Sequence, residues 1–554
     1  MKSLKPFLFA ATTTILLTSC GSTVRPINAA LLKNTNEETS KTAKIEEAQL
    51  KSWSYTDLKT DTIPGMSVDK AYAELIPNLK GTKVIVAVID SGIDIEHEDL
   101  KNVLWTNKDE VPNNGIDDDK NGYVDDVYGW NFLGDIVGEN LEFVRIIKRY
   151  EADFEGKSIA DITEEQKSLF VMYEKAKAEY SKEYDEINGN YNRYNQMLSQ
   201  VTVSHDAIVK KIGKEDYSAE DLAAIVDPTE DDQKNIAILS QMLSYGGTIP
   251  EFKDRLNGGV QYFQGRLKNH FAMDTDFRGV LNDDPYDIND TDYGNNDVDG
   301  PDPKKEDARH GTHVAGIIAA QRGNNVGMDG VAQNVEIMTL RAVPDGDEYD
   351  KDVALAIRYA ADNGAKVINT SFGKAYSQNP EWVWDAIKYA AKKDVLIVNA
   401  AGNDANDLDV VVSYPNDEIV KGEEISDNFI TIGALNYKYG KEMVATFSNY
   451  GATNVDLFSP GVKIWSTTPL NTYEYLQGTS MASPNVAGVA AMVRSYYPKL
   501  SAKQVKQVLM DSGLGVTTKV IVGGDESNTQ AFSAISKSGK TVNLYNALIL
   551  ASKL

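Results

Sequence analysis

The 554-residue sequence holds one cysteine and only five histidines. A single cysteine cannot close a disulfide within the chain, so a disulfide framework is excluded and stability must come from a packed core and bound ions. Positive charge is scarce as well: 56 Lys and Arg stand against 82 Asp and Glu, a formal net charge of −26. Such a chain has little to offer the phosphates of nucleic acid, which sets that partner aside. Long apolar runs are also missing, and beyond the N-terminus no stretch has the length of a membrane span. The scarcity of histidine limits the candidate bases to His97, His205, His270, His310 and His313. What the chain does have is length and an ordinary hydrophobic share of 42%, enough for a large core in more than one structural unit.

At the N-terminus, "MKSLK" is basic, "PFLFAATTTILL" is a short apolar run, and "LTSC" ends at Cys20. That run is short for a bilayer span and has the form of an export signal. A lone cysteine is commonly a small buried hydrophobe. Here the segment resembles a bacterial lipoprotein signal, which implies removal of residues 1–19 and lipidation of Cys20. The resemblance implies an exported, membrane-anchored protein. Gly21, in place of an aspartate, points to the outer membrane or the cell surface of a Gram-negative bacterium. Residues 20–62 are polar and read as a tether.

From residue 63 the pattern changes. "VIVAVI" (84–89), "KVINTSF" (366–372), "VLIVNAAGN" (395–403) and "FITIGAL" (429–435) are continuous apolar runs. Amphipathic stretches such as "DVALAIRYAADNG" and "WVWDAIKYAAKK" lie between them. The alternation predicts an α/β fold with a central parallel sheet buried on both faces. Residues 134–280 break the rhythm: they are charged, helical and poor in strand signals. Tyr173, Ala176, Tyr180, Tyr184, Ile187, Tyr191, Tyr194, Leu198 and Val201 fall at steps of three and four, the seam of a helical hairpin. This block reads as an inserted, mainly α-helical subdomain between residues 63–133 and 281–554.

"QGTSMASPN" (477–485) puts Ser480 at the entrance of a small-residue helix. A serine there is either an N-cap or a nucleophile. A nucleophile needs a base, and "RHGTHVAGIIAA" (309–320) offers His310 and His313. The base needs an acid to fix its tautomer, and Asp90 closes a buried strand at its carboxyl end, where open α/β sheets carry their sites.

"VIVAVIDSGID", "HGTHVAGIIAA" and "GTSMASPNVAGVAA" together resemble the three catalytic motifs of the subtilisin-like serine proteases, the subtilases. The resemblance covers residues 63–133 and 281–510. It implies the three-layer subtilisin-like fold and a serine endopeptidase acting on proteins or peptides through an acyl-enzyme. Asp90 would orient the base, His310 would be the base and Ser480 the nucleophile. Asn403, in "NAAGN", matches the oxyanion asparagine, and Ser371, Phe372 and Gly373 match an edge that pairs with substrate backbone. His97 matches a position without a catalytic role, and His313 is expected to pack against the sheet. Ser480 Oγ is expected to face His310, and Pro484 to lie in the first helical turn, where its missing N–H has no partner. No cofactor is required for the chemistry. A catalytically silent relative and an adhesive role for the insertion are the alternatives.

Structural calcium is expected as well. "NNGIDDDKNGYVDDVYGWNF" opens like an EF-hand loop, with Asp117, Asp119 and Asn121 at alternate positions ahead of Gly122. Tyr128 stands where the closing glutamate would be, so Asp126 is the candidate to close a shorter loop. Asp99 and Asn324 match a second calcium position of some subtilases. About 220 residues separate Asp90 from His310, so the insertion must emerge near the cleft.

Overall fold

The computed structural model describes residues 26–33, 41, 43–420 and 422–554; Cys20 and the export signal lie outside them. The apolar runs become the middle of a nine-stranded sheet. From one edge its first four strands are Leu514–Gly515, Lys540–Thr541, Leu457–Pro460 and Phe429–Leu435. There follow Leu396–Ala400, Val367–Thr370, Val84–Asp90, Val335–Arg341 and Gly129–Asn131. Every neighbouring pair is parallel except the first.

Successive strand residues face opposite sides, so both faces can be buried. Val86, Val88, Val367, Val398 and Ile430 meet the helices Arg309–Ala319 and Thr479–Tyr496. Ala87, Ile89, Ile368, Ile397 and Phe429 meet the helices Asp350–Asp362 and Pro380–Lys392. The result is the expected three-layer α/β fold. In register, Asp90 lies beside Arg341 and Ile89 beside Thr370, so the carboxyl ends of the central strands share one edge. The strand Val335–Arg341 is masked in the sequence by Thr339 and Arg341, both buried. Arg341 keeps its charge inside by donating to Asn131 Oδ1 and to the carbonyls of Gly134 and Ile136.

The inserted block holds the helices Glu142–Phe154, Lys167–Ile212, Glu230–Ser244 and Ile249–Lys268. The second has 46 residues, about 70 Å at 1.5 Å per residue. Its seam is a packing seam: Tyr173, Ala176, Ile187 and Val201 are buried, and Tyr180 stacks on Tyr184 at 5.5 Å. Within the stretches "DPTEDDQ" and "GGTIPE" lie capping boxes that open the last two of these helices, Thr229 with Asp232 and Thr248 with Glu251. The block has cores of its own, one near the root around Phe143, Phe154 and Tyr173, another far out around Ile208 and Leu239.

The tether reading of residues 20–62 is corrected in part. Trp53 and Tyr55 are buried in the main core, with Trp53 Nε1 donating 3.0 Å to the Val462 carbonyl and Tyr55 Oη 2.6 Å to that of Asp329. Further out, the Ile27 N–H reaches Ser552 Oγ and the Leu32 N–H reaches Asn546 Oδ1. Scattered aromatics in a polar segment give no periodic signal, yet each finds an apolar slot. No helix of the described residues is long and apolar enough to cross a membrane.

Candidate active site

Asp90 ends its strand at the shared edge and is 1% exposed. Its Oδ1 accepts the Ser91 N–H at 2.8 Å and lies 2.7 Å from His310 Nδ1. His310 is the second residue of the helix Arg309–Ala319. That helix comes close because Gly311 faces the Asp90 turn: a Cβ there would stand 2.1 Å from the Gly92 carbonyl oxygen. The Asp90 contact makes Nδ1 the donor and leaves Nε2 as the basic nitrogen. Burial opposes the imidazolium, but the Asp90 charge and hydrogen bond outweigh it and raise the His310 pKa above its ordinary value.

The other four histidines have structural partners. His97 is fully buried, accepting the Asp99 N–H at Nδ1 with Nε2 3.3 Å from the Thr472 carbonyl. His205 meets the Tyr217 hydroxyl and His270 meets Asp345. His313 packs against a hairpin, Ile464–Thr468 with Thr472–Leu476, where the sheet was expected. Its Nε2 lies 3.1 Å from the Ile464 carbonyl and 3.2 Å from that of Glu474. Burial pushes its pKa down to about 3, so the ring is neutral.

Ser480 is the second residue of the helix Thr479–Tyr496, and no side-chain N-cap bond forms there. Its hydroxyl does not reach His310 in this resting arrangement. Ser480 Oγ donates to the Ser371 carbonyl at 3.0 Å, and Ser371 Oγ donates to the Ser480 carbonyl at 2.9 Å. Pro484 explains the second bond. It stands inside the helix, four residues after Ser480, rather than in the first turn. Its missing N–H is the one that would serve the Ser480 carbonyl, and the Ser371 hydroxyl takes that place.

Asn403 follows the strand Leu396–Ala400. Its Oδ1 accepts the Thr479 N–H at 2.8 Å and the Thr479 hydroxyl at 3.1 Å, which turns the amide NH₂ outward. Thr479 Oγ1 also accepts the Gly402 N–H at 3.0 Å. Asn449 holds the same loop from behind, its Oδ1 taking the N–H groups of Asp404 and Asn406 and its Nδ2 giving to the Ala401 carbonyl. Thr479 lies inside the quoted serine motif, whereas Asn449 has no local signal. Ser371 is buried, Phe372 packs against the core beneath the helices Asp350–Asp362 and Pro380–Lys392, and Gly373 is exposed at the edge. An open cleft of about 580 Å³ is lined by Asp90, His310, Ser371, Val343 and Asp345.

The acidic groups rearrange the expected calcium sites. Glu110, Asp119 and Asp126 bring carboxylate oxygens within 4.8 Å of one another. Glu110 is 6% exposed, and its Oε2 has no hydrogen-bond partner. Burial raises the Asp126 pKa to about 6. A buried, unpaired carboxylate oxygen beside two further carboxylates is a donor set that fits a hard cation. Asp117 is not one of these three: it caps the N–H groups of Asn121 and Gly122, sharing the Asn121 N–H with Asp119. Asn121 turns its amide nitrogen to Asp119 and Asp126, so its oxygen faces elsewhere. Asp99 and Asn324 do come together: Asn324 Nδ2, the Met328 N–H and the Tyr473 hydroxyl all donate to Asp99.

Residues 81–534 match the subtilase family, the S8 peptidases. The chain belongs to that family. It is 41% identical over 213 residues to a thermophilic serine proteinase of Bacillus sp. (strain AK1), covering 38% of this chain and 46% of that protein. It is 38% identical over 237 residues to a cell wall-associated protease of Bacillus subtilis (strain 168), 43% of this chain and 24% of that one. Subtilisin DY of Bacillus licheniformis is 35% identical over 224 residues, 40% of this chain and 76% of its own. The chain thus spans less than half the length of the first two relatives. A solved structure of proteases from Pseudoalteromonas arctica PAMC 21717 covers 90% of this chain and 97% of its own, at 19% identity and a TM-score of 0.44.

Proposed function

We propose that the protein is an exported serine endopeptidase, lipid-anchored through Cys20, that hydrolyses peptide bonds with Asp90, His310 and Ser480. The observation that carries this reading is the 2.7 Å contact of His310 Nδ1 with Asp90, at the sheet edge where the serine helix begins. Ser480 Oγ leaves the Ser371 carbonyl, gives its proton to His310 Nε2 and attacks the scissile carbonyl carbon. The developing oxyanion takes hydrogen bonds from Asn403 Nδ2 and the Ser480 N–H, the latter also offering the positive end of the helix dipole. His310 passes the proton to the leaving amine. Water, deprotonated by the same nitrogen, then opens the acyl-enzyme, while Asp90 holds the ring and stabilises the imidazolium.

Substrate backbone would pair with the Ser371–Gly373 edge in extended form. Glu110, Asp119 and Asp126 would hold a structural calcium ion, which fixes the loop and takes no part in the chemistry. A fluorophosphonate probe tests the central reading. It should label the wild type and leave Ser480→Ala unlabelled, and turnover of that variant should fall by about 10⁶, the size of the effect in subtilisin. Equal labelling of both proteins would refute it.

A further inference from the structure

The chain just past the substrate edge turns a lysine inward. Lys374 Nζ lies 2.9 Å from Glu142 Oε2 and 3.0 Å from Asp350 Oδ1, and donates 2.7 Å to the Glu348 carbonyl. The side chains of Lys374, Glu142 and Asp350 are 2%, 3% and 8% exposed. Glu142 belongs to the insertion: it opens the helix Glu142–Phe154. Arg145, one turn on, pairs with Glu142 Oε2 and donates 2.7 Å and 3.0 Å to the carbonyls of Asp347 and Glu348. Gln378 Nε2 takes the remaining Glu142 oxygen at 2.7 Å.

These bonds grip both walls of the cleft. On one wall, the Lys374 backbone exchanges hydrogen bonds of 2.8 and 2.9 Å with Tyr414, whose neighbours Ser413 and Pro415 line a cavity of about 170 Å³ beside Asn399–Ala401. On the other wall, Asp345 donates 2.7 Å to the Val137 carbonyl and accepts the Glu139 N–H at 2.9 Å. Asp345 lines the catalytic cleft together with His310 and Ser371. Burying ions costs several kcal/mol each before pairing, so a clasp like this adds little stability but defines geometry strongly. Among the described residues, no hydrogen bond or ion pair joins Asp90, His310 or Ser480 to Glu142, Lys374 or Asp350.

We propose that Glu142 is a positioning residue for substrate, holding the Ser371–Gly373 edge in register through Lys374, so that the helical insertion is part of the peptide-binding framework. The proposal rests on the reading of Ser371–Gly373 as the edge that pairs with substrate backbone. Its test compares the full-length wild type with Glu142→Gln on two substrates. One is an extended chromogenic peptide; the other is a short activated ester that does not reach the edge.

The variant should lose tenfold or more in kcat/KM on the peptide, chiefly through KM, and less than threefold on the ester. Glu142→Asp, which keeps the charge and withdraws one methylene, should show the same split at smaller size; it serves also if Glu142→Gln does not fold. A parallel loss on both substrates, or no loss on either, would overturn the proposal. A peptide methylated at the backbone amides before the scissile residue separates the two readings. If methylation leaves wild-type cleavage unchanged, the edge assignment itself fails. If methylation impairs the wild type but neither Glu142 variant shows the split, the edge stands and the role of Glu142 falls.

Discussion

Replacing Ser371 by alanine removes the hydroxyl that serves the Ser480 carbonyl, an acceptor that Pro484 has deprived of its helical donor. It also removes the acceptor of Asn369 Nδ2, 2.9 Å away. Each net hydrogen bond contributes about 1 kcal/mol, and an unpaired buried group costs about 1–3 kcal/mol. The substitution should therefore destabilise the protein by about 2–3 kcal/mol. Pro484→Ala restores an N–H at the position facing the Ser480 carbonyl. In that background the carbonyl keeps a donor, and only the Asn369 part of the loss remains. A double-mutant cycle should give a coupling of about 1 kcal/mol between Ser371 and Pro484. Guanidinium denaturation, run in Ser480→Ala to prevent self-digestion, measures it. Additivity within about 0.3 kcal/mol would refute the account of why a proline stands inside this helix.

Asn403→Ala should lower kcat by on the order of 10²–10³, the range found for the same donor in subtilisin, with KM little changed. Steady-state kinetics on a peptide checks this, and an unchanged kcat would remove Asn403 from the oxyanion site. Because Asp90 raises the His310 pKa, the base is lost as pH falls through a value above the ordinary 6.5. The acid limb of kcat/KM should accordingly lie above 6.5, and in Asp90→Asn it should move down while kcat falls by about 10⁴. Calcium at 100 times its dissociation constant should stabilise the fold by about 2.7 kcal/mol, and EDTA should abolish that gain. Thermal melts of Glu110→Gln should be insensitive to both, whereas Asp117→Asn should respond like the wild type.

The central strands and the flanking helices were legible because each carries its own signal, a continuous apolar run or a 3.6-residue period. The residues of the proposed triad were legible for a different reason. Nucleophile, base and acid each sit at a strand end or a helix start, and these boundaries are written in short local motifs. Glu110 was not, because it reaches Asp119 and Asp126 across a folded loop, seven residues ahead of the Asp117 that begins the recognisable pattern. Asn121 meets Asp119 and Asp126 through its amide nitrogen, a contact that spacing alone does not reveal. Pro484 misleads by one helical turn, since the missing donor is made good by a side chain more than a hundred residues away. Glu142 reads as an ordinary charge in the charged block and Lys374 as one directly after the Ser371–Gly373 stretch, more than two hundred residues on, and only the tertiary fold buries them together.

The docking of the N-terminal segment has a consequence for reach. Were residues 20–62 a free tether, the folded body could wander more than 100 Å from a lipid-bearing Cys20 at about 3.5 Å per residue. With Ile27 fixed to Ser552, only seven residues separate that cysteine from the first anchored point, a span of about 25 Å at most. If Cys20 carries the proposed lipid, a protease moored so closely would work on whatever passes along the bilayer surface, and its catch would be set by lateral traffic more than by what diffuses past in bulk solution.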